Sequence, residues 1–320
     1  MKVGFICSNY YGYDAFRRLL GHKEIEPVFV LGLNERRFKN SGMAPYYYQG
    51  SRYCSYALGK KIPSFFTLDL NGDTELIATL KRRKAEYVFA MGWPDILHPA
   101  ALAIPSKGCL GIHPSALPMY RGGAPLNWQL VEGKQEIGVS CFFLSKKVDA
   151  GALICQEKYT FTLNDGNVLN FIEDIYIGVT YDLYERAVAI LSRGKSIPKT
   201  TEKGCYRRRR TPEDSRMDFC VTSNEVVNLV RAQALPFPAA FFVHRGKRYI
   251  VMGARLAVPS TGTSPGKIRK IADTEIEVET LDGAVWLTVG TSDATLHRSE
   301  LRKVFSPNER ICTKSISGGR

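Results

Sequence analysis

The chain has 320 residues, 44% apolar and 11% aromatic, which suits one large domain or two small ones with a sizeable core and excludes wholesale disorder. No run approaches the roughly 20 apolar residues of a spanning helix, so membrane insertion is not expected. The net charge of +13 divides into +6 over residues 1–200 and +7 over the shorter 201–320; it suits nucleic acid, a membrane surface or a phosphorylated small substrate, or serves only as a solvated face.

In chain order, residues 3–7 form an apolar run too short for an export signal and broken by Ser8-Asn9-Tyr10-Tyr11, hence a buried first strand. Eight cysteines without a C-x-x-C pair, and no export signal, imply reduced thiols in a cytoplasm. A helix is predicted over 13–20 and a strand over 27–33. Residues 34–63 read as a long loop-like insertion, with Tyr46, Tyr47, Tyr48, Tyr53 and Tyr56 among cations. Those rings either stack on a base or pterin or pack the loop onto its own domain. A helix over 74–83 closes on Lys81-Arg82-Arg83-Lys84, where cations suit a helix C-terminus. Strands follow at 87–91, 108–113 and 138–144.

Strands alternating with helices predict a doubly wound, mostly parallel, Rossmann-like α/β sheet. Such sheets bind ligands beyond the carboxyl ends of their strands, where Gly92-Trp93 and Ile112-His113 would arrive. No G-x-G-x-x-G follows the first strand and no P-loop occurs, which disfavours a dinucleotide enzyme. Composition shifts across 195–217, which contain Arg207-Arg208-Arg209-Arg210. Beyond it, Thr222-Ser223-Asn224-Glu225 opens a predicted helix over 226–232. Short strands at 240–244, 249–252, 267–271, 275–280 and 285–289 then suggest a small barrel or sandwich.

The most informative stretch is His113-Pro114-Ser115-Ala116-Leu117-Pro118-Met119-Tyr120-Arg121-Gly122, a histidine ending an apolar strand before a Pro/Gly loop. Read alone, His113 is as much a structural as a site histidine, and Asp149-Ala150-Gly151 is a turn. Together they resemble the folate-dependent formyltransferases, whose hallmark is Asn-x-His at a strand end, Ser-Leu-Leu-Pro-x-Tyr-Arg-Gly, and Asp-x-Gly about 36 residues after the histidine. The resemblance extends to Arg209–Ser215 and Pro236–Phe241, and is closest to the branch that modifies UDP-4-amino-4-deoxy-L-arabinose. It implies a catalytic domain over 1–203 and a C-terminal mostly-β, OB-like subdomain over 204–312.

The resemblance also implies a chemistry. An amine attacks the formyl carbon of 10-formyltetrahydrofolate, and an oxyanion develops. His113 donates to that oxyanion or accepts the amine's proton, while Asp149 orients the imidazole. Ala90, Met91, Gly92, Trp93, Ser115, Leu117, Pro118, Arg121, Gly122, Lys147 and Val148 would hold the folate; Ser8, Asn9, Tyr10 and Asn127 would meet the amine substrate. No metal is expected. The family's asparagine is Gly111 here. Loss of one oxyanion donor typically costs about 10²–10³ in rate, which leaves a slower enzyme, a redirected acyl chemistry or a non-catalytic folate or nucleotide-sugar binder. Gly111→Asn is expected to return up to ~10²-fold where the space is open. The leading expectation is a cytoplasmic N-formyltransferase for a nucleotide-linked amino sugar, as in lipopolysaccharide or surface-glycan synthesis. Methionyl-tRNA formyltransferase is the enzyme alternative, so nucleic acid is disfavoured but open, as is a homodimer.

Overall fold

Val3, Phe5, Ile6 and Cys7 are buried, as a strand covered on both faces requires. They belong to β1 (Lys2–Cys7), an interior strand of a seven-stranded sheet. A computed structural model describes residues 1–38, 49–194, 197, 203–234, 237–258, 264–291 and 294–311. The next elements are α1 (Tyr13–Leu19), β2 (Glu26–Leu33), α2 (Gly50–Gly59), β3 (Ser64–Thr67), α3 (Thr74–Arg82), β4 (Tyr87–Met91), α4 (Pro99–Leu102) and β5 (Gly108–His113). They continue with β6 (Arg121–Gly122), α5 (Pro125–Val131), β7 (Glu136–Phe143), β8 (Leu153–Thr160), α6 (Val168–Asn170), α7 (Ile177–Ser192) and β9 (Tyr206–Arg207). The last are α8 (Ser223–Ala232), β10 (Phe241–His244), β11 (Lys247–Leu256), β12 (Ile268–Ile271), β13 (Glu275–Glu279), β14 (Ala284–Gly290) and α9 (Arg298–Val304).

Two units divide these elements: Met1–Pro125 with Glu136–Thr160 and Asn170–Arg208, and Leu126–Gln135 with Phe161–Leu169 and Arg209–Arg320. In the first, strand order is β3-β2-β1-β4-β5-β7-β8. The first five run parallel, and β7 and β8 are antiparallel to their neighbours. This is the mostly parallel, Rossmann-like sheet expected from the strand–helix alternation. Its core is aromatic: Phe5 meets Phe16 and Phe89 edge-on, and Phe89 stacks on Tyr184 of α7. The buried Tyr184 hydroxyl donates to the Ala90 carbonyl at 2.8 Å, so its polar end is satisfied.

The stretch 34–63 is not a loop throughout. Gly50, Tyr53, Cys54 and Ala57 are its buried positions, one face of a helix, and α2 packs that face on the sheet. Tyr53 and Tyr56 pack against Tyr13 and Phe16 of α1, so these two rings belong to the fold. Tyr46, Tyr47 and Tyr48 lie outside the described residues.

The second unit holds a five-stranded antiparallel sheet, β10-β11-β14-β13-β12. Helix α8 begins in a capping box: Thr222 N–H donates to Glu225 Oε2 at 2.8 Å while Glu225 N–H donates to Thr222 Oγ1. Its buried Arg231 donates to the Gly166 and Thr162 carbonyls and lies over Phe161, which fixes the segment 161–169 in this unit. No helix among the described residues is long and apolar enough to cross a membrane.

Candidate active site

The sheet has a switch point between β1 and β4, from which the chain leaves to opposite sides, and the carboxyl ends there are where such sheets bind ligands. Ser8 N–H donates to the Met91 carbonyl at 3.1 Å and Asn9 Nδ2 to the Gly92 carbonyl at 3.0 Å. Tyr53 Oη donates to the Asn9 carbonyl at 2.6 Å, so α2 fixes this corner. Gly92 has φ +65, and a Cβ there would fall on the Asn9 amide, so glycine is required on both counts. Ser8 Oγ, Asn9 Oδ1 and Trp93 Nε1 are buried with no partner among the described residues. Tyr10 is half-buried and meets Tyr11 edge-on.

His113 ends β5 and is 7% exposed. Its Nε2 lies 2.9 Å from the Tyr120 carbonyl, which can only accept, so Nε2 carries the hydrogen and the neutral ring has its lone pair on Nδ1. Nδ1 faces Asp149 Oδ2 at 3.7 Å, beyond a hydrogen bond but within ion-pair range. Asp149 Oδ2 also accepts the Gly122 N–H at 2.8 Å. One carboxylate therefore ties the loop after His113 to the loop between β7 and β8. The hydrogen bond to the imidazole comes from the Tyr120 carbonyl, while Asp149, to which the family resemblance gave the orienting role, stands at ion-pair distance from Nδ1.

The remaining expected residues divide by what their polar atoms do. Ser115 Oγ donates to the Met119 carbonyl within the loop, and Leu117 N–H donates to Ser140 Oγ on β7, which ties the loop to the sheet. The Leu117-Pro118 peptide is cis. Arg121 is half-buried with Nε unpartnered among the described residues. Lys147 is exposed and Val148 half-buried, on the loop that carries Asp149. Asn127 lies in the second unit, where its Nδ2 donates to the Ala232 carbonyl at 2.6 Å. Gly111 has no left-handed backbone, but a Cβ there would come 2.9 Å from Leu144 Cδ2.

Sequence reasoning missed the segment that covers the histidine loop. Strand β9 pairs in parallel with β6, Tyr120 N–H donates to Cys205 Sγ at 3.1 Å, and Arg121 N–H donates to the Cys205 carbonyl at 2.9 Å. The Arg207 guanidinium lies over the Tyr120 ring. In the second unit, Arg210 lies over Trp128, so two cations of the arginine run have packing roles. A two-residue strand has no readable period, and nothing in the sequence marked it.

Comparison with known proteins gives the family. Residues 36–168 match the Formyl transferase family and residues 209–294 the Formyl transferase C-terminal domain. The chain belongs to the formyltransferase family. It is 25% identical over 283 residues to a methionyl-tRNA formyltransferase of Clostridium perfringens, covering 88% of each chain. Among solved structures it resembles the N-formyltransferase of Helicobacter canadensis in complex with folinic acid and dTDP-3-aminofucose, at TM-score 0.65 and 16% identity, covering 91% of this chain and 100% of that one. It also resembles HypX of Aquifex aeolicus in complex with tetrahydrofolic acid, at TM-score 0.57 and 18% identity, covering 95% of this chain. The chain spans about half the length of the HypX chains it matches. No group of three or more metal-ligating side chains occurs among the described residues.

Proposed function

We propose that this chain transfers the formyl group of 10-formyltetrahydrofolate to the amine of a nucleotide-linked amino sugar. The observation that carries the reading is His113, held at Nε2 by the Tyr120 carbonyl and faced at Nδ1 by Asp149. An attacking amine must shed a proton, and Nδ1 has the lone pair to take it; the carboxylate then stabilises the imidazolium. His113 sits at the end of a strand and the Gly122 N–H holds the Asp149 loop beside it, which keeps the geometry ready before the amine arrives.

The crevice suits a folate. A pterin presents donors and acceptors on its edge and the glutamyl tail presents carboxylates; Asn9 Oδ1, Trp93 Nε1 and Arg121 Nε are buried polar atoms free to meet such groups. When bound, the folate supplies the activated one-carbon unit. Residues 90–93, 117–122 and 147–148 would hold it, with Ser115 bracing the loop, and Ser8–Tyr10 would face the acceptor. The match to a sugar N-formyltransferase over its full length supports the sugar class. A cytoplasmic role in surface-glycan synthesis follows from that substrate.

A specific observation favours a second reading. Methionyl-tRNA formyltransferases of Clostridium perfringens and Clostridium beijerinckii match this chain in sequence at 25–27% identity. The test is a panel of nucleotide-linked amino sugars and methionyl-tRNA, assayed for tetrahydrofolate release. Turnover of a sugar nucleotide with weak salt dependence supports the proposal. Turnover of methionyl-tRNA alone, with affinity falling steeply as salt rises, supports the second reading. Folate binding with no release in any mixture overturns both and leaves a binding protein.

A further inference from the structure

Leu144 fills the face of β5 beside His113. Residues 111 and 113 are two apart on a strand and share that face. Gly111 pairs with Phe142 across β5 and β7, and the Phe142 ring centre stands 6.2 Å from that of His113. A Cβ on Gly111 would come 2.9 Å from Leu144 Cδ2, 3.5 Å from its Cγ and 3.7 Å from Phe142 Cε1. The first distance is shorter than packed carbons tolerate, so Leu144 lies in the space that a side chain at 111 would need. It is also the first residue after β7, its N–H donating to the Cys109 carbonyl at 2.7 Å. From there the chain runs out to Asp149 and returns at Ala152, whose carbonyl accepts the Phe143 N–H at 2.9 Å.

We infer that Leu144 is a positioning residue, a peg seated on the bare backbone of Gly111 that sets where the Asp149 loop leaves the sheet. The spacing between Asp149 and His113 depends on that seat. Gly111 is then a socket, and a side chain placed there unseats the loop instead of serving it. Leu144 N–H and Phe143 N–H tie the start of the loop to the flanking backbone, so a side chain at 111 too large for the tip of Leu144 to turn away from must strain those bonds or shift that start. Only the activity readout rests on the formyl-transfer reading.

The test is a mutant cycle of Gly111→Asn, Leu144→Ala and the pair, with Gly111→Ala as the milder probe. Hydrogen exchange of peptides covering 119–124 and 145–151 is read without substrate, and kcat and KM are read separately. Gly111→Asn and Gly111→Ala are expected to speed exchange in both peptides, because the Gly122 N–H loses its hold on Asp149. For Gly111→Asn, kcat should fall by about tenfold or more with KM for the folate within about twofold. Leu144→Ala alone should speed exchange in both peptides by removing the peg, and placed in the Gly111→Asn background it should add less than its single effect, since the seat is already lost there. Wild-type exchange in both glycine variants, or a double variant that shows only the product of the single effects, overturns the proposal. Coupled exchange with no formyl transfer in any variant, wild type included, supports the peg and overturns the function proposed above.

Discussion

Asp149→Asn separates the charge of the site from its scaffold. The amide oxygen can still accept the Gly122 N–H, so the loop keeps its tie, but the imidazolium formed when His113 takes a proton loses its counter-charge. The magnitude follows from the geometry. Nδ1 and Oδ2 are 3.7 Å apart with side chains 9% and 17% exposed, so bulk-water screening does not apply. At an effective dielectric near 20 the attraction is about 4 kcal/mol. Since each 1.36 kcal/mol is tenfold in rate, and water entering the crevice reduces the attraction, the fall in kcat should be about 10²–10³. The assay is release of tetrahydrofolate with the best acceptor from the amine panel, beside thermal unfolding of both proteins. Asp149→Ala removes the Gly122 acceptor as well and should lower stability by a further ~1–2 kcal/mol. If Asp149→Asn keeps kcat within about threefold of wild type, the carboxylate does not stabilise a charged histidine and the mechanism fails.

His113→Gln, with circular dichroism unchanged, should lower formyl transfer by about 10²–10⁴, the usual worth of a general base; full activity would sink the assignment. Gly92→Ala combines left-handed strain of about 1–2 kcal/mol with displacement of the Asn9 amide, so the unfolding midpoint should drop by several degrees and folate quenching of tryptophan fluorescence should vanish. His244 in the second unit is buried, and burial holds its pKa below the ordinary value. The unfolded chain therefore takes up a proton that the folded chain refuses, and stability is lost as pH falls below about 6.5. Melts across that range should show the loss, and His244→Gln should flatten it.

The continuous apolar runs of β1, β4 and β5 are strong signals because a strand covered on both faces tolerates nothing else, and all three lie within a residue of the expected spans. Helix α2 was hidden because two of its four buried positions are Gly50 and Ala57, which carry little apolar signal. Helix α7 and strand β8 also passed unmarked, the strand because only Cys155 among its eight residues is buried. His113 and Asp149 were legible through a long motif. Their partners were not: Tyr120 and Cys205 act through backbone carbonyls, an N–H and a thiol, which no side-chain pattern announces. Gly111 was legible as a departure, but its meaning depends on Leu144, 33 positions away and set beside it only by the β5–β7 pairing.

The strand over the histidine loop orders events during synthesis. Every strand of the seven-stranded sheet lies before Phe161, and α7 is complete at Ser192, so the whole scaffold can leave the ribosome while β9 is still in the exit tunnel. At that point the loop from Pro118 to Gly123 lacks the acceptors that Cys205 and Arg207 give it, and His113 is present without its final setting. A nascent chain therefore has all seven strands of the sheet before the loop after His113 has its last backbone partners. A chain ending before Cys205 would keep every strand of that sheet while the N–H groups of Tyr120, Arg121 and Gly123 lack these acceptors.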